Sequence, residues 1–299
     1  MTLHAGADAR TLAFVRIWVF AIWLSRLLPD CFSCLAEFSP SLFARLGILR
    51  LIPNAAVPLL LRPGTLAGIQ ATLLVLLLLS LLGVRPYRVF ASAAAILLTL
   101  YEGVLGGFAQ GTHSDLALLF VTYVLAIVPA ADAVTWGSRK GSAHPAETYA
   151  AAMIMMALLL LMTYSLVAFG RVALSSPEIF LSPTMRFYIA SDILRPTRHP
   201  FLLGEWLLVH PLALWLAQVG FGLVTVFELT APLCLIHKRW RYAWLAVMSL
   251  FHVASYLFMN VLFLSNILLF PVLLLEPREL FARRSDPAKV ATTDEPGAG

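Results

Sequence analysis

The sequence predicts an all-α protein: a polytopic transmembrane helical bundle of about eight spans, with one short interfacial or re-entrant helix. Three observations predict it. Of 299 residues, 60% are hydrophobic and only 12% charged, against roughly 25% charged in an ordinary soluble domain; a soluble fold of this size could not hide so much apolar surface. The apolar residues fall in runs of ~20, the length that crosses a hydrocarbon core, and not in the strand-like alternation of a membrane barrel. The basic residues gather between those runs. That makes the net charge of +5 a sign of membrane topology, with no nucleic-acid partner implied.

The runs lie at 11–29, 66–84, 87–107, 114–134, 148–170 and 211–236. A further apolar stretch, 242–276, is too long for one helix and reads as two short spans broken near Asn260. Segment 200–210 is too short to cross, and its Glu205, Trp206 and His210 suit the headgroup region. Residues 1–10 read as a short cytoplasmic tail, 11–282 as the membrane domain, and 283–299, polar and rich in Pro and Gly, as a disordered cytoplasmic tail. The first run contains Arg16 and no cleavage site follows it, so it reads as a retained span. With the N-terminus inside, twelve Lys and Arg fall on the cytoplasmic side and seven on the other. Those seven lie in the two long connections, where charge weighs least on orientation. The expectation is an integral protein of a bacterial inner membrane, both termini cytoplasmic.

Soluble-enzyme motifs for phosphate, dinucleotide, zinc or a serine nucleophile are absent. The seven histidines lack metal-ligand spacing, so no metal site is expected. Cys31 and Cys34 form a C-x-x-C, either a redox pair or a structural one; Cys234 reads as a packing residue. The informative residues are polar ones inside apolar runs, since an ionisable side chain there costs about 2.5–3.5 kcal/mol and tends to face a partner or a cavity. In "FELTAPLCLIHKRWRYAWLAVMSLFH", Glu228 precedes a basic turn and His252 follows it. Both lie ~13–16 Å from the turn at 1.5 Å per residue, so an antiparallel hairpin brings them to similar depth. Pro232 cannot donate to the carbonyl of Glu228, which predicts a kink there. Two readings stand side by side: an acid–base pair lining a cavity, or an interhelical hydrogen bond pinning the bundle. Tyr101, Glu102, His113 and Asp115 mark one end of the bundle, Tyr164 lies between Thr163 and Ser165, Arg16 is expected to pair with an acid or a lipid phosphate, and Arg26 and Arg171 to snorkel.

The order "FELTAPL", "HKRWR", "LFHVASYLF" and "NILLFPVLLLEPRELF" resembles the HTTM family, the horizontally transferred transmembrane domain related to vitamin K-dependent gamma-carboxylase. "GTHSDLALLFVTYVLAIVPAADAVTW" is similar to the family span that opens with a histidine and closes at a proline, and "TYSLVAFGRV" to its tyrosine-to-lysine segment. The resemblance covers most of 11–282 and is clearest over 225–282. It implies an all-helical membrane domain. In the carboxylase branch it implies oxygenation of a reduced quinone coupled to carboxylation of glutamate. The branch's catalytic lysine falls at Arg171, and a guanidinium cannot be deprotonated in a protein; nor do these residues include a large lumenal substrate-binding region. Carboxylation is therefore not expected. His113, Glu228 and His252 keep the family's residue types, which implies a cavity open to a lipid or a quinone, with Tyr164 and Arg171 beside it. Three functions follow as alternatives: a protein binding an isoprenoid quinone or other membrane lipid, a quinone-linked oxidoreductase using Cys31 and Cys34, or a membrane scaffold for another enzyme.

Overall fold

The computed structural model describes residues 3–4, 6–110, 115–136, 144–174, 180, 184–193, 202–259, 261 and 263–275. His113, Asn260 and the segment 283–299 lie outside them. The described residues are helical, with no strand. The helices are α1 (Ala9–Leu27), α2 (Val57–Leu60), α3 (Pro63–Leu82), α4 (Tyr87–Leu105), α5 (Leu116–Ile127), α6 (Ala146–Leu174), α7 (Thr184–Ile193), α8 (Leu202–Val209), α9 (Pro211–Leu229), α10 (Lys238–Met259) and α11 (Leu264–Leu274). Five of them, built on Pro63–Leu82, Tyr87–Phe108, Ala146–Ala173, Pro211–Leu229 and Lys238–Met259, are long and apolar enough to cross a membrane. This architecture fits a membrane-embedded helical protein.

The long helices and the short ones have different jobs. Four of twenty residues of α3 are buried, and its Val75 and Leu78 are exposed, as a lipid-facing helix requires. In α5, by contrast, eight of twelve residues are buried, and in α11 seven of eleven. Helix α1 packs against α3, α5, α6 and α11. A helix enclosed by others needs neither full bilayer length nor an apolar circumference, so α1 can carry Arg16 and α11 can carry Ser265 and Asn266. The apolar stretch after residue 242 does divide: α10 ends at Met259 and α11 starts at Leu264. Helix α8 lies where the short interfacial segment was expected. It exposes Trp206, whose ring stacks on His210 at 4.4 Å, and buries Leu207 against the bundle.

Buried charges are spent on the backbone. Arg16 of α1 is fully buried and donates to the carbonyls of Ala130 (2.8 Å) and Val134 (2.5 Å), in the connection after α5. The acid or lipid phosphate expected for it is not its partner. Arg241, in the basic turn "HKRWR", is also buried and donates through Nε to Cys234 O at 3.0 Å. Arg26 does not simply snorkel: it pairs with buried Asp115, whose Oδ1 also accepts from Ser265 Oγ at 2.6 Å. One ion pair thus ties α1, the start of α5 and the start of α11. The N-terminal residues read as a tail are packed as well. Leu3 and His4 are buried, and His4 Nε2 lies 2.7 Å from Leu273 O.

Gly83 ends α3 at φ +68°, the left-handed cap position that favours glycine. A Cβ there would stand 2.7 Å from Arg16 Nη1. Gly83→Ala should therefore strain the cap and push Arg16 off its carbonyls, lowering stability by about 1–3 kcal/mol. Thermal unfolding in detergent would show it, and an unchanged midpoint would mean Arg16 is not held as described.

Candidate functional site

Pro232 starts the site. It cannot donate a backbone bond, and α9 ends at Leu229 before a tight turn over Ala231–Leu235. The carbonyls freed at this break are taken up by side chains. Ser165 Oγ donates to Glu228 O (3.1 Å) and Leu229 O (2.7 Å), Trp244 Nε1 to Phe227 O (3.0 Å) and Trp240 Nε1 to Thr230 O (3.2 Å). The break therefore docks onto α6 and α10, and it turns the buried Glu228 side chain toward α6.

Arg171 of α6 meets it there. Its Nη1 donates to Glu228 Oε2 at 2.5 Å and to Thr225 Oγ1 at 2.9 Å, and its guanidinium lies 4.9 Å above the ring of Phe221. With 18% of its side chain exposed against 3% for Glu228, Arg171 is an internal ion-pair partner and does not reach out to the headgroups. Seven residues earlier on the same helix, the Tyr164 hydroxyl lies 2.8 Å from His252 Nε2 of α10. Tyr164 is fixed by edge contacts with Trp244 (5.3 Å) and Phe270 (5.5 Å).

Tyr164, Arg171, Glu228 and His252 line one cavity of about 110 Å³, together with Ala117 of α5, Phe263 just before α11 and Asn266 of α11. Ala117 and Asn266 stand in the first turns of their helices and Arg171 in the last turn of α6. The cavity thus sits toward the end of the bundle that carries the Arg26–Asp115 pair. Two of its polar atoms have no partner: His252 Nδ1 and Asn266 Oδ1, on side chains 2% and 5% exposed. Leaving such an atom dry costs about 1–3 kcal/mol each. Whichever way the Tyr164–His252 proton lies, Nδ1 stays unpaired.

Beside it lies a second cavity, about 200 Å³, walled by apolar side chains that include Phe221, Val224, Phe251 and Met259. Phe251 lines both, and Phe221 carries the Arg171 guanidinium on its face. A polar chamber and an apolar one share a wall.

Of the residues singled out in the sequence, four meet in this cavity, and His113 lies outside the described residues. Glu228 and His252 do reach the same cavity, but each is bonded to a residue of α6 and no bond joins them. A double-mutant cycle should give strong coupling between Arg171 and Glu228. Glu228→Gln and His252→Gln share the cavity but no bond, so they should couple less than Arg171 and Glu228 do; coupling as strong as that of the ion pair would mean the two side chains meet. Cys31 and Cys34 are joined by a disulfide at the exposed end of α1, away from these lining residues. Among the described residues no cluster of His, Cys, Asp and Glu could hold a metal ion. Asn266 escaped the sequence reading. Its signal in the sequence is a polar pair, Ser265–Asn266, inside an apolar run.

No family model, curated protein or solved structure matches this chain. The fold and the cavity therefore define a class, an all-helical membrane-embedded protein with a buried polar chamber, and nothing narrower.

Proposed function

We propose that the protein binds the polar head of an isoprenoid quinone, or of a similar membrane lipid, in the Arg171–Glu228–His252–Asn266 cavity, with the chain of the same molecule in the apolar chamber behind Phe251. One observation carries the reading: two buried polar atoms without partners, His252 Nδ1 and Asn266 Oδ1, line the same cavity as an ion pair. A quinone suits this donor and acceptor set, because its carbonyl oxygens accept and its reduced hydroxyls donate. Arg171 would orient such a head and Tyr164 would hold the imidazole in place. Arg171 is tied to Glu228 and stays charged, so no carboxylation or epoxidation is proposed. A distant relation to the HTTM family is proposed on the residues quoted above.

The test is the lipid that leaves with the protein. Extraction into mild detergent and mass spectrometry should find a quinone or other amphiphile on the wild type, reduced at least about tenfold in Asn266→Leu, the loss of one buried hydrogen bond. A wild type carrying only bulk lipid, with water in the cavity, would sink the reading.

The exposed Cys31–Cys34 disulfide favours a second reading, in which this pair exchanges electrons with the bound quinone. In that case a dithiol partner would reduce the disulfide, and Cys31→Ser would block quinone reduction while leaving quinone binding unchanged. The proposed setting is a bacterial inner membrane with both termini inside. Cysteine probes beside Arg45 and Arg186 should then react with an impermeant reagent from outside, and probes beside Lys140 and Arg239 should not; labelling at Lys140 would reverse the orientation.

A further inference from the structure

At the opposite end of α5, where the α3–α4 and α5–α6 connections meet, lies another cavity of about 310 Å³. Its wall is basic. Arg85 and Arg88 enter it from either side of Tyr87, at the start of α4, together with His144. Neither arginine has an ion-pair partner among the described residues. The wall does contain one acid, Asp132, but its Oδ2 already accepts from His144 Nδ1 (2.7 Å) and from the Tyr149 hydroxyl (2.6 Å). The wall thus carries two exposed guanidinium groups against one carboxylate, a net positive lining.

The position is held and not incidental. Between the two arginines Tyr87 is buried, and its hydroxyl donates to Leu125 O at 2.9 Å, which anchors the backbone that presents them. No side chain caps α4, so the positive end of its dipole points the same way. Tyr87–Phe108 is one of the helices long and apolar enough to cross a membrane, which puts its first turn at headgroup depth. The planar fork of arginine matches phosphate oxygens in pairs.

From these features we infer that the Arg85–Arg88–His144 cavity is a phosphate site, taking the phosphate of an anionic phospholipid headgroup or of a soluble phosphate. It is independent of the Arg171 cavity. The experiment uses the full chain, stripped of lipid and returned to nanodiscs of phosphatidylcholine alone, of phosphatidylcholine with phosphatidylglycerol, or of phosphatidylcholine with added inorganic phosphate. Thermal stabilisation and native mass spectrometry read binding. Stabilisation in the phosphatidylglycerol arm assigns a lipid source, and in the inorganic phosphate arm a soluble one. Either should be weakened about thirtyfold in the double variant Arg85→Gln, Arg88→Gln, the effect of two arginine contacts to an anionic headgroup, and left unchanged in Arg239→Gln, an exposed arginine in the first turn of α10. Should the glutamine variant fail to fold, Arg85→Lys, Arg88→Lys keeps the charge and removes the fork, and a severalfold loss is expected. No binding in either arm, retention by the double variant equal to wild type, or an equal loss in Arg239→Gln would overturn the site.

Discussion

Arg171→Ala should lower stability by about 3–5 kcal/mol, the cost of stranding a buried charge by removing its partner. Glu228 is 2% exposed, and its Oε2 accepts from Arg171 Nη1. Ser165 and Trp244 hold the α9 break beside it through the backbone carbonyls of Glu228 and Phe227. The double variant Arg171→Ala, Glu228→Gln should regain much of that loss, since a neutral amide is far cheaper to bury. Unfolding in detergent measures both. A single-variant loss below ~1 kcal/mol, the range of an exposed ion pair, would mean the pair is solvated and the chamber open.

Asp115→Ala is the second large effect. Asp115 is 1% exposed and receives both Arg26 and Ser265. Losing two hydrogen bonds that involve a charged group costs about 1.5–3 kcal/mol each, less what the partly exposed Arg26 recovers from water, so about 2–4 kcal/mol is expected. The damage should reach the cavity. Ser265 is the neighbour of Asn266 and Asp115 is two residues from Ala117, so the rim formed by α5 and α11 depends on this joint. Loss of stability with intact lipid retention would show that the rim holds without it.

These two joints also mark what the sequence could and could not convey. Apolar run lengths announced the helices, and the length of 242–276 announced a break, because those features depend on local composition alone. Pro232 announced a kink for the same reason, and the structure goes further, ending α9 at Leu229. Partner choice is a tertiary matter. Arg16 was expected to meet an acid or a lipid phosphate and Arg26 and Arg171 to snorkel, yet Arg16 and Arg241 clamp backbone carbonyls while Arg26 and Arg171 hold acids. Depth matching brought Glu228 and His252 to one level of the hairpin, but it carried no information on azimuth, and α6 stands between them as the partner of both. Asn266 was overlooked because an uncharged amide raises no insertion alarm, although unpaired and buried it constrains the cavity as firmly as the charges do.

The central claim is that one amphiphile spans the two chambers. It is tested most directly by photolabelling with a quinone that carries a diazirine on its chain, followed by peptide mapping of the adduct. The label should fall on residues of the apolar chamber, Phe221 or Met259, and should disappear in Asn266→Leu, whose substitution lies in the polar chamber and not among the residues that line the apolar one. Labelling spread over lipid-facing residues such as Val75 and Leu78, unchanged by Asn266→Leu, would contradict it.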